Sequence, residues 1–419
     1  MTVEGTTDPG FEKVQDVFAD NFEERDEVGA ALCVYHRGRP VVDLWGGVAD
    51  VDDDRPWDRD TLSVMDSTTK AITTVCALTL VEQGELDLDA PVARYWPEFA
   101  AHDKRDVTLR HVFTHQAGLP AVDRWISLDD VEAWAPCVEA LEAQRPYWKP
   151  GTAHGYHGLT IGWLLGEPIR RVSGLTPGAF VREHIAPRLS TGAGLDLWIG
   201  LPEEEEHRVA PTVRVDLASP GGLGASTGDE RYDEMYRQCT ELYLDAEFLD
   251  QYMHPDKRTA AFFDRPLTIP QRAFGPTEVG KDMNSRRHHA MELPSATGIA
   301  SARSLARLAA ALVGEVDGVR LLGEDIVAEA ATTFSSGPDQ VVLTDTAWGL
   351  GFSVPGGVLF PGHGTGRGFG HAGANGTLLY ADLDADLAIG YLRNHMTLDV
   401  PDPRSWPLVR AAYDCLESL

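Results

Sequence analysis

The chain has 419 residues, 43% of them hydrophobic, and 36 Lys and Arg stand against 65 Asp and Glu for a formal net charge of -29. That is ample apolar material for a sizeable core and too much for a disordered chain. So acidic a surface repels phosphate backbones and anionic lipid, which argues against nucleic acid or a membrane surface as a partner and leaves solubility as the simplest role of the charge.

The opening stretch MTVEGTTDPGFEKVQDVF has no basic n-region and no apolar h-region, and no later run is long enough to span a bilayer, which predicts residence in a reducing cytoplasm. From Gly10 to about Glu24, Phe11, Val14, Val17, Phe18 and Phe22 recur at helical spacing. Residues 30–50, AALCVYHRGRPVVDLWGGVAD, read as two strands around the turn HRGR. The middle differs. From Ser67 to about Ala290 helical segments such as TTKAITTVCALTLVEQGELD, TLRHVFTHQAGLP and LTIGWLLGEPIRRVSG are punctuated by Pro and Gly. Strands return at 376–396, GTLLYADLDADLAIGYLRNHM, with LDAD as the turn, and SWPLVRAAYDCLESL closes the chain as a helix. The layout predicts an α/β protein in which an antiparallel sheet flanked by terminal helices is built from residues 1–65 and 290–419, with a mostly helical domain, 66–289, inserted between them. Five cysteines (Cys33, Cys76, Cys137, Cys239 and Cys415), odd in number and without a C-x-x-C pair, predict free thiols rather than a zinc knuckle or a disulfide framework.

The stretch MDSTTKAITT, residues 65–74, carries the first chemistry. Ile72, Val75, Cys76 and Thr79 recur as on an amphipathic helix and Gly84 stops it, so Ser67 lies at its front with Lys70 one turn on, along the same face. A serine hydroxyl is a poor nucleophile until a base takes its proton. A lysine amine serves once burial lowers its pKa, and the helix N-terminus stabilises negative charge beside the serine. S-x-x-K alone is weak, since Ser67 or Asp66 could be a plain N-cap and Lys70 an exposed lysine. Two further segments bear on it. In WKPGTAHGYHGLTIGWLL, from residue 148, Tyr156 sits in a loop before a helix, where a phenol either packs or shuttles protons beside a buried ammonium. In GFGHAGANGTLLY, from residue 368, a His-Ala-Gly-Ala tetrapeptide opens a strand whose small residues let a ligand lie against it, with the Ala374 N–H pointing at that ligand.

These three segments, in this order, resemble the serine β-lactamase and penicillin-binding-protein superfamily, and most of all its class C branch with the family VIII carboxylesterases and related acyltransferases. LRHVFTHQAGLP, VEQGELDLDAPVARYWPEF and LPSATGIASARSLARLAAAL resemble the surrounding segments, so the likeness runs from about residue 28 to about 396. It implies a β-lactamase-like fold with the site in the cleft between the two domains. By the same resemblance Ser67 is the acylated nucleophile, Lys70 its base, and Tyr156 the proton relay. The N–H groups of Ser67 and Ala374 form the oxyanion hole, worth about 3 kcal/mol per donor. His371, Gly373, Trp348 and His157 are expected to bind substrate, with no metal and no cofactor.

The pattern also departs from the β-lactamases. Tyr156-His157-Gly158 stands where they have Tyr-x-Asn, His371-Ala372-Gly373 where they have Lys-Thr-Gly, and no lysine follows Lys281. A histidine, often neutral at pH 7, anchors the β-lactam carboxylate poorly. The expectation is therefore a serine carboxylesterase working on a small-molecule ester or acyl donor. An acyltransferase using the same acyl-enzyme is the alternative, and behind it stand a weak β-lactamase, a D-peptidase or a binding relative without turnover. Rival motifs are thinner. Ser226 in GASTG fits a nucleophile elbow only by letter, because a Pro/Gly loop precedes it and charged residues follow. His111 and His115 lack the glutamate of a zinc-protease helix, and no Walker lysine follows FPGHGTGRGFG. Acyl specificity and oligomeric state are not legible.

Overall fold

The computed structural model describes residues 2–190, 194–214, 267–275, 277–363, 366–396 and 400–419. Its main sheet is antiparallel and draws on both ends of the chain. From the first part come β1 (Val3–Thr7), β2 (Gly29–His36) and β3 (Arg39–Asp50), and from the last part β4 (Gly368–Ala372), β5 (Leu378–Asp382) and β6 (Leu387–Arg393), in the order β1-β3-β2-β6-β5-β4, with the short strand Arg55–Pro56 also paired to β3. Side chains alternate across the sheet. Ala30, Leu32 and Val34 of β2 face the terminal helices α1 (Glu12–Glu24) and α5 (Ser405–Ser418), packing with Val14, Phe18, Leu408 and Val409. Ala31, Cys33 and Tyr35 face the other way into the larger core, under α4 (Ala302–Val313). That helix crosses β6 at Gly390, where a Cβ would lie 2.5 Å from the Ala302 carbonyl oxygen and 2.6 Å from the Ala306 nitrogen, so glycine sets the distance between the layers.

A short three-stranded ribbon of Ser63–Val64, Gly298–Ala300 and Leu197–Ile199 leads into a 3-10 turn, Asp66–Thr68, and then into α2 (Thr69–Glu82). The expected amphipathic helix is instead buried without interruption from Thr69 to Leu80. Its threonines explain why that is tolerated, since each hydroxyl has a partner. Thr73 donates to Pro294 O at 2.5 Å, Thr74 to Gly351 O at 3.1 Å and Thr79 to Val75 O at 2.8 Å, while Thr69 Oγ1 accepts from Gly298 N at 2.8 Å. Against α2 lies α3 (Ile161–Ser173), closed by Gly174 in the left-handed conformation.

Two strands depart from the sequence reading. The sequence carries little signal for β1, because VEGTT has almost no apolar residues; the strand is held by its pairing with β3 and by Val3, which packs against the core under the terminal helices. The His-Ala-Gly-Ala tetrapeptide ends a strand, β4, rather than opening one: β4 closes at Ala372, and residues 373–377 form the turn into β5. Gly368 and Gly370 weaken its strand signal, but both are required, since a Cβ would lie 2.4 Å from the Tyr380 hydroxyl and 1.9 Å from Leu379 O respectively. Among the described residues no helix is long and apolar enough to cross a membrane, and Cys33, Cys76, Cys137 and Cys415 are buried free thiols.

Candidate active site

The ribbon and the β4–β5 turn grip the chain on either side of Ser67. Met65 N donates to Gly298 O at 2.8 Å, Asn375 Nδ2 to Val64 O at 2.8 Å, and Thr377 Oγ1 to Met65 O at 2.9 Å. Gly373 is needed for this approach, because a Cβ there would lie 2.5 Å from Met65 O and 2.2 Å from Thr377 Oγ1. Ser67 is thereby set in the 3-10 turn beside β4. Its backbone N–H and that of Ala374, an exposed residue of the turn, donate to no acceptor among the described residues.

Ser67 Oγ meets two groups at once. Lys70 Nζ is 2.9 Å away, and the Tyr156 hydroxyl is 2.9 Å away. Lys70 also donates to Ser295 O at 2.8 Å and lies 5.0 Å from the centre of the Tyr156 ring. Burial disfavours its charged form and brings its pKa down to about 7, with the Asp66 carboxylate acting in the opposite sense. An amine in that range can both take and return a proton near neutral pH.

Tyr156 is held from behind by one carboxylate. Asp339 Oδ1 accepts from the backbone N–H groups of Tyr156 at 3.0 Å and of Val341 and Val342 at 2.8 Å each. Its Oδ2 accepts from Thr346 Oγ1 at 2.9 Å, and the Thr346 oxygen takes the Trp348 indole N–H at 3.0 Å. That indole stacks on the Tyr156 ring at 5.3 Å with 2° between the planes. Trp348 is wholly buried and supports the tyrosine from behind. His157 is likewise sealed inside: Leu119 N donates to its Nε2 at 3.0 Å, and its Nδ1 bonds Gly155 O at 2.6 Å, so both ring nitrogens serve the loop. Its expected place among substrate-binding groups is not where the structure puts it, because neither nitrogen is available.

His371 lies 6.1 Å from Tyr156 and 5.9 Å from Trp348 between ring centres. Its Nδ1 bonds Ala372 O at 2.8 Å, and Nε2 is buried without a partner among the described residues. Burial, with the Lys70 charge nearby, lowers its pKa to about 3, so the ring is neutral. Gly158 has no side chain to offer, and the Phe274 ring fills the space beside it, 2.7 Å from where a Cβ would stand. A mostly apolar pocket, lined chiefly by Ala121, Val122, Ile126, Leu159, Trp163 and Ala273 with Arg272 and two threonines also on its wall, adjoins these groups, for Leu159 O accepts from Ser295 Oγ at 2.9 Å and Ala273 packs in one cluster with Tyr156.

The model of the family described as Beta-lactamase matches residues 14–414, nearly the whole chain. The chain belongs to the beta-lactamase family. Within it, "Esterase/beta-lactamase LipL" of Mycobacterium tuberculosis (strain ATCC 25618 / H37Rv) is 31% identical over 396 residues, 94% of this chain and 83% of that protein. A crystal structure of a family VIII carboxylesterase superposes with a TM-score of 0.79 at 34% identity, covering 99% of this chain and 100% of that one. A penicillin-binding-protein homologue from Caulobacter crescentus gives 0.79 at 33% identity, with 99% and 100% covered. The family's fold is thus the fold seen here.

Sequence reasoning assigns no role to three groups at this beta-lactamase-family site, although two of them lie in the resembling segments LPSATGIASARSLARLAAAL and LRHVFTHQAGLP. Ser295 contributes a carbonyl, which any residue could supply. Asp339 lies 183 positions from Tyr156, in a loop without pattern. His115 is buried: its Nδ1 accepts from His157 N at 3.0 Å and its ring packs 4.2 Å from Trp348, under the site. Ser226 lies outside the described residues. Among the described residues no group of three or more His, Cys, Asp or Glu could hold a metal ion.

Proposed function

We propose that the protein is a serine hydrolase that cleaves carboxylic esters through an acyl-enzyme on Ser67. The observation that carries this reading is the double contact of Ser67 Oγ, at 2.9 Å from both Lys70 Nζ and the Tyr156 hydroxyl. Lys70 in its neutral form takes the Ser67 proton as Oγ attacks the ester carbonyl carbon, and Tyr156 passes a proton to the departing alkoxide. The unengaged N–H groups of Ser67 and Ala374 are the donors for the developing oxyanion. Water then repeats the sequence in reverse to release the acid. An alcohol in place of water would make the same intermediate an acyl-transfer agent.

Neutral esters suit the site better than β-lactams. His371 offers no positive charge for a carboxylate, Phe274 closes the space beside Gly158, and the apolar pocket beside Leu159 would take an uncharged hydrocarbon group. The shared family and the esterase named among the relatives support the same class of substrate.

The test is intact-protein mass spectrometry after exposure to a panel of p-nitrophenyl esters, alongside turnover of the Ser67→Ala variant. The expected result is an adduct of one acyl group on Ser67 and loss of at least a thousandfold in kcat for the variant. Turnover that survives Ser67→Ala would overturn the reading. Adding alcohols to the same assay shows whether the acyl group passes to acceptors other than water.

A further inference from the structure

The pocket beside Leu159 has a floor and two separate walls. The floor is Leu159, Thr160 and Trp163, where α3 begins, and one wall is the loop 120–126. Floor and loop are fastened together, since Thr160 Oγ1 donates to Leu119 O at 2.6 Å and Leu119 N donates to His157 Nε2 at 3.0 Å. The other wall is Arg272, Ala273 and Thr277, on and just after the short helix Ile269–Phe274. That helix also reaches the reacting groups, because the Phe274 ring lies 6.3 Å from the ring of Tyr156 and fills the space beside Gly158.

Two ties cross from wall to wall. In the first, Thr277 Oγ1 donates to Ile126 O at 3.1 Å and Glu278 N donates to the same carbonyl at 2.9 Å. In the second, Arg272 Nη1 donates to Asp123 Oδ1 at 2.8 Å. An ion pair with this much exposure adds little to stability by itself. Its acceptor, however, is fixed independently of the arginine. Asp123 Oδ1 also accepts from the Tyr147 hydroxyl at 2.6 Å, Oδ2 accepts from Gln144 Nε2 at 3.0 Å, and Gln144 Oε1 takes the Asp123 N–H at 2.7 Å. The guanidinium thus docks on a carboxylate already in place, and its charge is matched there rather than offered to a substrate. Between the walls is about 30 Å³ of free space, room for about two or three water-sized groups. An aromatic alcohol does not fit such a space, whereas a short hydrocarbon chain does.

We propose that the Arg272–Asp123 pair determines acyl specificity at this site: it holds the two walls together around a pocket that receives the acyl chain of the ester, and so limits that chain to a few carbons. The inference rests on the acyl-enzyme reading given above. The acyl group stays on Ser67 through both half-reactions while the alcohol departs by way of Tyr156, so a pocket tied on two sides serves the part that stays. Its floor is one residue removed from the catalytic amine, since Ser295 Oγ donates to Leu159 O and the Ser295 carbonyl accepts from Lys70 Nζ. Each methylene buried there raises kcat/KM by about threefold to fivefold. A chain longer than the space meets the wall that the ion pair holds in, and that gain is lost.

The test is the profile of kcat/KM for p-nitrophenyl esters from acetyl to decanoyl. In the unaltered protein it is expected to rise to about butyryl and fall beyond it. Arg272→Met keeps an aliphatic stem on the wall and cuts the tie, and Asp123→Ala removes the other half of the pair. Either change should move the peak by about two carbons and raise the ratio of octanoyl to butyryl by about tenfold or more. The double variant should move it no further than Arg272→Met does, because both remove one and the same interaction. Arg124→Met breaks the neighbouring pair of Arg124 with Asp130, 2.9 Å apart, on the same loop, and should leave the profile where it is. An unmoved peak in Arg272→Met and Asp123→Ala overturns the inference. So does a change of preference that appears along a series of alkyl acetates and not along the acyl series, since the pocket would then hold the alcohol. Absence of an acyl adduct on Ser67 at every chain length would instead defeat the nucleophile assignment, a separate failure.

Discussion

At Lys70 burial and chemistry pull in the same direction. An amine sealed from water gives up its proton near neutral pH, and an amine without its proton can accept one from Ser67 2.9 Å away. The sign of the pH dependence follows. Below about 7 the ammonium cannot act as a base, so kcat/KM for an ester should rise with pH through about 7 and level off above it. Lys70→Met keeps the length of the side chain and deletes the base. It should lower kcat/KM by about a hundredfold to ten-thousandfold and abolish that rise, as read from initial rates on a p-nitrophenyl ester between pH 5 and 9. A rise through neutral pH that persists in Lys70→Met would assign the titration to another group. His371 illustrates the opposite use of burial: its ring is neutral because water is excluded, and the same exclusion removes the cation that an anionic substrate would need.

Among the elements, the loop between residues 338 and 345 does more than its sequence suggests. Asp339 receives three backbone N–H groups and the Thr346 hydroxyl, and through them holds both the backbone of Tyr156 and the indole stacked on its ring. Asp339→Ala would strand three buried donors, each costing about 1–3 kcal/mol. Asp339→Asn keeps one acceptor oxygen for them and loses the partner of Thr346. The expected outcome is a graded series by urea denaturation, with the asparagine variant destabilised by about 1–3 kcal/mol and the alanine variant by more. Both should lose kcat more than they raise KM, because the phenol is misplaced while the pocket remains. Equal stability in all three proteins would remove Asp339 from this role. The contrast with Ser67 and Lys70 shows what a sequence discloses. Those two are three residues apart on one helix, so local spacing reveals them, and the helices and both hairpins announce themselves by apolar period or turn residues. Asp339, Ser295 and β1 act through contacts made only after folding, and neither period nor propensity marks them. The polar threonines of α2 misled in the other direction, since a hydroxyl that finds a buried carbonyl counts as core. The letters of His157 were equally misleading, for its place beside Tyr156 says nothing of which way the ring turns.

At the scale of the whole molecule, the two ends of the chain are joined by a buried ionic cluster that also supports the site. Arg393, at the end of β6, is fully buried between Glu27 at 3.0 Å and Asp402 at 2.7 Å. Tyr391 donates to Glu27, and the Glu27 carboxylate also takes the N–H of Val28 at 3.2 Å. The turn that carries Ala374 rests on this cluster: a Cβ at Gly376 would lie 2.3 Å from Arg393 Nη1 and 2.5 Å from Asp402 Oδ2, so the guanidinium fixes how deep the turn can sit. A buried ion pair adds little stability beyond what apolar residues would give, but breaking one strands a charge. Glu27→Ala should therefore destabilise the protein by about 3–5 kcal/mol, and Glu27→Gln by less, because the amide keeps hydrogen bonds to Arg393 while losing the charge. The second consequence separates this cluster from ordinary core. With Arg393 held by Asp402 alone, the support under Gly376 loosens, and the Ala374 N–H drifts from the place where an oxyanion forms. Labelling of Ser67 by a fluorophosphonate, measured well below the unfolding temperature, should slow in Glu27→Ala although Glu27 touches none of the reacting groups. Urea denaturation and labelling rates on the same samples decide it: loss of stability with an unchanged labelling rate would make the cluster a clamp for the chain ends alone, whereas loss of both ties the joining of the termini to the geometry of the site.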